Sequence, residues 1–303
     1  MKPILFVFPG NQAWADPLAR EIKAELGRLT LRHFPDGESY VRIESEVASR
    51  EIILALSLNN PDEHLLPLLF AAGTLRELGA ARIGLVTPYL AYMRQDKRFH
   101  AGEAISSVHF ARLLSNAVDW LVTVDPHLHR FHSLDEIYSI PSHVAHAAPL
   151  IADWICRNVD KPVLIGPDSE SAQWTAAVAQ ACGAPSVILQ KVRHGDRDVE
   201  IAVPQVEQWC THTPVLVDDI ISTAHTMAET ICQLQRAGLG KPVCIGVHAI
   251  FAEGAQEALQ TAGAARIVTC NTVTHPSNDI DVTALLGQGV RTMLFPQNSP
   301  PSS

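Results

Sequence analysis

Short runs of apolar residues, rich in Val, Ile and Leu, alternate with longer segments of helical periodicity along almost the whole chain. Apolar runs of this length predict buried strands, and the segments between them predict helices. Strands that alternate with helices form βαβ units, so the pattern predicts an α/β fold of mainly parallel sheets flanked by helices. The predicted strands are Ile4–Phe8, Leu29–His33, Ile52–Leu56, Arg82–Val86, Trp120–Val124, Val163–Ile165, Ser186–Leu189, Pro214–Val217, Pro242–Val247 and Arg266–Thr269.

One series of predicted elements occurs twice. The strands and helices between Ile52 and Val124 follow the same order as those between Pro214 and Thr269. The repetition predicts two similar α/β domains in tandem, residues 1–145 and 146–295. Their boundary falls near Pro141–Pro149, where Pro, Ser, Ala and His gather without periodicity. Residues 296–303, which are mainly Pro and Ser, predict a disordered tail.

Composition narrows the class of protein. The chain has 303 residues, of which 47% are hydrophobic and 18% are charged, values that are typical of a globular protein and exclude general disorder. Its formal net charge is −9, and acidic residues outnumber basic ones in both predicted domains. Nucleic-acid binding needs a concentrated Lys/Arg surface, so the sequence predicts no nucleic-acid partner. Acidic loops are instead suited to a divalent metal.

No segment has the length of a membrane span or the composition of a signal peptide. The longest apolar run, Leu65–Gly73, is about half the roughly 20 residues that a bilayer requires, and only a few apolar residues follow Met1-Lys2-Pro3. We therefore expect a cytoplasmic protein with no membrane partner. The six cysteines contain no CxxC pair, a pattern that favours free thiols over disulfides or a zinc site.

The clearest candidate site lies between Val215 and Thr226. An apolar strand there runs into Asp218 and Asp219 and then into a hydroxyl-rich turn before a helix. Amides at a helix N-terminus bind phosphate, and acids at the carboxyl end of a parallel strand face the crevice where α/β proteins bind ligands. An ordinary helix cap beside two solvated Asp residues is the alternative. The segment by itself favours the functional interpretation.

Three further segments accompany this one. The turn Phe34–Glu38 offers an aromatic ring and two carboxylates, and Pro88–Lys97 (PYLAYMRQDK) places a guanidinium after a Tyr-rich turn. Lys191-Val192-Arg193 precedes a polar stretch that is typical of a mobile loop. Taken singly, these segments also fit a β-turn, a solvated charge cluster and a hairpin tip. Taken together and in order, they resemble the ribose-phosphate diphosphokinases, also called phosphoribosyl pyrophosphate synthetases.

The resemblance implies a fold, an activity and an assembly. It implies two tandem phosphoribosyltransferase-like domains that transfer the pyrophosphoryl group of ATP to the 1-hydroxyl of ribose 5-phosphate, with Mg²⁺ as cofactor. The products would be phosphoribosyl pyrophosphate and AMP. It also implies a homo-oligomer, because in this family the loop corresponding to Phe34–Glu38 reaches the nucleotide of an adjacent subunit.

The resemblance also assigns roles to residues. Those implied to bind nucleotide are Phe34, Asp36, Glu38, Arg94, Gln95 and Asp96, with Asp96 expected to orient Arg94. Those implied to bind ribose phosphate are Asp218, Asp219, Ser222, Thr223, Ala224, His225 and Thr226. Metal ligands are expected at Asp125, His127 and Asp168, and catalytic cations at Lys191 and Arg193. The spacing of His129, His132, His143 and His146 matches no ligand pattern, so we interpret these as surface or structural histidines.

Two positions depart from the family pattern in the sugar loop. Ser222 replaces an acid that holds ribose hydroxyls, and His225 replaces a glycine beside the 5-phosphate. A glycine permits positive φ, so we expect the histidine either to accept that conformation at a cost or to shift the turn. These departures leave two alternatives open: a weakly active regulatory homologue of a true synthetase, and a phosphoribosyltransferase.

Overall fold

The computed structural model describes residues 1–166, 172–193, 199–202 and 206–295. The chain forms two compact units. The first contains Met1–His146, Thr272–Thr274 and the residues from Thr283 onward, and the second contains Ala147–Asn271 and His275–Val282. This division differs from the predicted boundaries at the C-terminus, where the last helix joins the first unit. None of the described helices combines the length and apolar character of a membrane span.

The first unit is a six-stranded parallel sheet with a separate antiparallel hairpin. Its strands are β1 (Ile4–Val7), β2 (Glu25–Leu26), β3 (Leu29–His33), β4 (Ser39–Ile43), β5 (Glu51–Ala55), β6 (Arg82–Val86), β7 (Trp120–Val124) and β8 (Ser142–Ala145). Its early helices are α1 (Gln12–Glu21), α2 (Pro61–Glu77) and α3 (Ser106–Ala117). The sheet order is β2-β1-β5-β6-β7-β8, and β3 pairs with β4 in a separate antiparallel hairpin.

The second unit repeats this plan. Its strands are β9 (Pro162–Gly166), β10 (Ser186–Ile188), β11 (Gln190–Arg193), β12 (Val199–Ala202), β13 (Thr213–Ile221), β14 (Val243–Ala249), β15 (Arg266–Cys270) and β16 (Asn278–Ile280). The helices that complete the chain are α4 (Ala148–Asn158), α5 (Ala172–Cys182), α6 (His225–Arg236), α7 (Ala255–Ala262) and α8 (Thr283–Leu294). The sheet order β10-β9-β13-β14-β15-β16 matches that of the first unit, with β11–β12 as the hairpin. The predicted pair of similar α/β domains is confirmed.

Both sheets are covered on both faces, which explains the apolar runs in the sequence. All five residues of β7 and all seven of β14 are buried, although side chains in a strand point alternately to opposite faces. Each predicted strand is present. Leu29–His33, however, is one strand of an antiparallel hairpin and does not belong to the six-stranded parallel sheet.

The last helix of each repeat packs outside its own repeat. Helix α4 follows β8 in the chain but packs against α5 and β16, whereas α8 follows β16 but packs against α1, β7 and β8. A Cβ on Gly289 of α8 would lie 2.7 Å from the His143 ring and 2.8 Å from Val122, so this glycine permits the close approach. Arg291 also pairs with Glu21 of α1 at 2.9 Å. These contacts explain why residues after Thr283 belong to the first unit.

A glycine in the first sheet provides a test of this packing. Gly84 lies directly opposite Trp120 in neighbouring strands, and a Cβ at Gly84 would overlap the buried indole ring. We expect Gly84→Ala to lower the free energy of unfolding by about 2 kcal/mol. Gly73→Ala is the matched control, because Gly73 is exposed within α2 with open space around it. This change should raise the free energy of unfolding by about 0.5–1 kcal/mol. Urea midpoints compare the variants, and equal midpoints would contradict the packing described.

Candidate functional site

The two acids of the clearest sequence motif lie inside a strand. Strand β13 continues to Ile221, past the predicted end at Val217, so Asp218 and Asp219 occupy its carboxyl-terminal half and are half-buried. The Asp219 amide donates a hydrogen bond of 3.0 Å to Oδ1 of Asp218. Because β13 is central in a parallel sheet, its carboxyl end lies at the sheet edge where such folds generally bind ligands.

A short turn connects this strand to helix α6. Ser222 and Thr223 form a bend, and Ala224 has left-handed backbone angles, φ 59° and ψ 8°, directly before the helix begins at His225. The Ala224 carbonyl accepts from the Ala228 amide at 2.8 Å, which closes the first helical turn. The Ser222 carbonyl accepts from Ala252 at 3.2 Å and so joins the turn to the segment after β14.

The beginning of α6 is suited to an anion. The amides of His225, Thr226 and Met227 lie in the first turn, where a helix provides no carbonyl acceptors for them, and the helix dipole adds partial positive charge. The side chains of Thr223, His225 and Thr226 belong to exposed residues beside these amides. The turn therefore offers amides and hydroxyls to a phosphate.

The positive φ that the family pattern indicated as one alternative for residue 225 is found at the preceding residue instead. Ala224 has the positive φ, whereas His225 is not among the positive-φ residues and starts the helix in ordinary geometry. A left-handed non-glycine residue costs of order 1 kcal/mol.

The first unit contains a corresponding turn, between β5 and α2, that lacks the phosphate-binding groups of the β13–α6 turn. After β5, Leu56, Ser57 and Leu58 are buried, and a left-handed Asn60 precedes α2. The amide of Ser57 donates to Oδ1 of Asn11 at 2.8 Å, and its hydroxyl donates to the carbonyl of Thr272, a residue of the same unit. Helix α2 begins with Pro61, which has no amide hydrogen. This turn is used for packing, and it carries no acid equivalent to Asp218 or Asp219.

The Phe34–Glu38 segment forms the tip of the β3–β4 hairpin. The Phe34 amide donates to the Glu38 carbonyl at 2.8 Å, and Gly37 supplies the required positive φ of 93°. Phe34 is 39% exposed, and its ring lies edge-on to that of Tyr40 at 5.9 Å. The Arg32 guanidinium lies 4.5 Å and 4.2 Å from the centres of these two rings. The tip thus presents a braced aromatic ring, with Asp36 and Glu38 exposed beside it.

The residues on either side of Arg94 are fixed by side-chain hydrogen bonds. Tyr92 has a positive φ of 62°, and its hydroxyl is hydrogen-bonded to Asp62. That hydrogen bond is the main reason why the pKa of Tyr92 is raised. The Gln95 side chain is hydrogen-bonded to the Ser106 hydroxyl at 2.6 Å, at the start of α3. Arg94, between these fixed points, is exposed.

Asp96 does not orient Arg94, and that part of the sequence interpretation is wrong. Nη1 of Arg130 donates to both Asp96 oxygens, at 2.8 and 3.0 Å, and the Asp96 side chain is only 2% exposed. Arg130 lies far along the chain from Asp96, and no local pattern marks it as a partner. Asp96 therefore anchors this segment through its buried ion pair with Arg130, and Arg94 is exposed to a ligand.

Histidines and an aspartate gather after β7. Asp125 has a positive φ of 34°, and its buried carboxylate binds Nδ1 of His146 at 2.9 Å, a hydrogen bond that raises the pKa of His146. The ring centres of His127 and His129 are 3.9 Å apart, with two of their nitrogens 3.1 Å from each other. The sequence indicated only that His129 and His146 are surface or structural histidines; in the structure His129 contacts His127, and His146 contacts Asp125.

The remaining predicted residues are described only in part. Asp168 lies outside the described residues. Lys191 and Arg193 are two positions apart on β11, opposite Ile201 and Val199 of β12, and their side chains also lie outside the described part of the structure. The segment between the two strands of this hairpin is likewise not described.

Comparison with known proteins decides the family. Residues 4–117 match the family model for the N-terminal domain of ribose phosphate pyrophosphokinase, and residues 133–285 match the phosphoribosyl transferase domain. The chain belongs to the ribose-phosphate pyrophosphokinase family. The resemblance drawn from the sequence motifs, and the two-domain fold that it implied, are confirmed.

Individual relatives of this family match over nearly their whole length. The ribose-phosphate pyrophosphokinase of Methanothermobacter thermautotrophicus is 33% identical over 91% of this chain and 95% of its own. That of Methanobrevibacter smithii is 29% identical over 93% of this chain and 97% of its own. The crystal structure of phosphoribosylpyrophosphate synthetase from Mycobacterium smegmatis covers 98% of this chain and 100% of its own, with a TM-score of 0.87 and 24% identity, and it supports the fold.

The two arginines beside Asp96 allow a direct test of the site description. Arg130→Ala leaves a buried carboxylate without its cation, so the free energy of unfolding should fall by about 2 kcal/mol. Arg94→Ala, at an exposed position in the same segment, should change that free energy by less than about 0.5 kcal/mol. Denaturant unfolding measures both variants. A larger loss for Arg94→Ala than for Arg130→Ala would contradict the pairing.

Proposed function

We propose that this chain transfers the β,γ-pyrophosphoryl group of ATP to the 1-hydroxyl of ribose 5-phosphate, giving phosphoribosyl pyrophosphate and AMP. The turn between β13 and α6 is the observation that carries the proposal. It joins the two acids in the carboxyl-terminal half of β13 to helix amides and hydroxyls, a combination that suits a sugar carrying a phosphate. Membership of the pyrophosphokinase family, over both of its domains, supports the same reaction.

Each unit contributes a different part of the proposed reaction. In the second unit, Asp218 and Asp219 accept from ribose hydroxyls, and the segment Ser222–Thr226 binds the 5-phosphate. In the first unit, Phe34 stacks on adenine, Asp36 and Glu38 accept from its amino group, and Arg94 with Gln95 binds phosphate or ribose oxygens. The first unit's corresponding turn supports this division, since its Ser57 is buried and its amide is bonded to Asn11.

The chemical step needs positioning and charge more than covalent chemistry. The 1-hydroxyl oxygen attacks the β-phosphorus in line, its bond to that phosphorus forms as the bond to the α-phosphate oxygen breaks, and AMP leaves. Holding two substrates in line supplies much of the rate enhancement. Lys191 and Arg193 neutralise charge that builds up on the transferred group. No covalent enzyme intermediate forms.

The available donors fit a divalent cation bound mainly through oxygen. Mg²⁺ prefers carboxylate, phosphate and water oxygens, so Asp168 would hold one cation directly, and His127 would hold another through a bound water. Asp125 is bonded to Nδ1 of His146 through one of its carboxylate oxygens. When bound, Mg²⁺ neutralises triphosphate charge.

A cytoplasmic location and a homo-oligomer, in which Phe34 reaches the nucleotide of a neighbouring subunit, remain predictions.

One assay separates the proposal from its alternatives. Purified protein is incubated with ATP, Mg²⁺ and ribose 5-phosphate, and the formation of AMP and phosphoribosyl pyrophosphate is followed. Equal amounts of both products support the synthetase. A weakly active regulatory homologue, which Ser222 and His225 suggest, would bind ATP and form neither product. A phosphoribosyltransferase would instead consume phosphoribosyl pyrophosphate when a nucleobase is added.

Removing a proposed catalytic cation should slow the chemical step. We expect Lys191→Ala to lower kcat by about 100-fold or more, roughly 3 kcal/mol of transition-state stabilisation, with little change in KM for ATP. Lys241→Ala, a change at the exposed connection between α6 and β14, is the control and should keep normal kinetics. An unchanged kcat in Lys191→Ala would remove this residue from the mechanism.

The proposed contact of His225 with the 5-phosphate predicts an effect of its side chain on substrate binding. An imidazole N–H beside the first amides of α6 can donate a hydrogen bond to a phosphate oxygen, so His225→Gly should raise KM for ribose 5-phosphate by about fivefold with little change in KM for ATP. His225→Gln, which keeps a side-chain donor, is the matched control and should lie closer to wild type. A KM for ribose 5-phosphate in His225→Gly equal to that of wild type would mean that His225 has no role in phosphate binding.

A further inference from the structure

Two cysteines of the second unit lie side by side on neighbouring helices. Cys156 is near the end of α4 and Cys182 is the last residue of α5, and these helices pack against each other. The Cys156 thiol donates a hydrogen bond to the carbonyl of Cys182, with a sulfur–oxygen distance of 3.6 Å. The Cys182 thiol donates to the carbonyl of Ala179 at 3.5 Å.

The Cys156 thiol also affects the pKa of the Cys182 thiol. Burial is the main cause of the raised pKa of Cys182, and the Cys156 thiol raises it further, both through charge and as a hydrogen-bond partner. Cys156 is exposed to solvent, whereas Cys182 is partly covered. An exposed thiol beside a sheltered one is an arrangement in which an oxidant reaches the first, and the second then displaces the oxidised group.

We propose that Cys156 and Cys182 form an intramolecular disulfide when the protein meets a hydroperoxide. The Cys156 thiolate attacks the peroxide, takes one oxygen to become a sulfenic acid, and releases an alcohol or water. The Cys182 thiol then attacks that sulfur, forms the S–S bond and expels water. Two thiols are oxidised by two electrons in total, and one peroxide is reduced. A thiol reductant restores the original pair.

The position of the pair determines what the bond does. Helix α5 runs back from the carboxyl end of β9, so Cys182 lies at the amino edge of the sheet, as does the end of α4, which leads into β9. The β13–α6 turn is at the opposite edge, about 15 Å away for a five-residue strand. The disulfide therefore ties α4, which follows the first repeat in the chain, to the body of the second unit and leaves the candidate site untouched.

The test uses the full-length wild-type protein, treated with hydrogen peroxide and then alkylated without reduction. Peptide mapping should find the peptides of Cys156 and Cys182 joined, and dithiothreitol should separate them. The apparent thermal midpoint of the oxidised protein should rise by about 5 °C, because a cross-link restricts the unfolded chain. Any enzymatic activity should change by less than about twofold, so loss of the proposed function does not affect this test.

Matched serine variants control the assignment. Cys232→Ser, at another exposed cysteine, should still form the bond, whereas Cys156→Ser and Cys182→Ser should not. Because mapping of the wild type needs no variant, misfolding of either serine variant leaves the result clear. Both cysteines recovered as separately alkylated peptides after peroxide treatment would overturn the proposal, as would a bond that links either of them to Cys210 or Cys232.

Discussion

An all-parallel sheet must be covered by helices on both faces, and this constraint shapes the whole chain. It explains why every residue of β14 is buried and why apolar runs mark the strands so clearly. It also explains why the last helix of each repeat packs outside its own repeat: α8 covers β7 and β8, and α4 packs beside α5. With the faces occupied, the carboxyl edges of the sheets are left for binding, and the polar residues of the candidate site gather there.

The two repeats put the same turn to different uses. In the first unit the turn after β5 is buried, and Ser57 is bonded to Asn11 and Thr272. In the second unit the corresponding turn keeps two acids and a helix start with available amides. Both turns pass through a left-handed residue, Asn60 or Ala224, so the shared backbone geometry comes from the repeated fold and the chemistry from the side chains.

Much of this fold could be predicted from the sequence, because buried strands and the motifs at their ends are local signals. The strands β8 and β16 could not, since both are short and contain polar residues at sheet edges. The pairing of Asp96 with Arg130 and the packing of α8 on the first sheet depend on contacts between distant parts of the chain. No spacing rule anticipates them. Ala224 shows the same limit, because its left-handed conformation depends on where α6 begins.

The central claim is that the turn of the second unit, and not that of the first, binds the sugar phosphate. It is tested most directly by titrating ribose 5-phosphate into isotope-labelled protein and following the backbone amide resonances. The account predicts saturable shifts for the amides of residues 222–227 and none for residues 57–60. Shifts confined to residues 57–60, or of equal size at both turns, would contradict it.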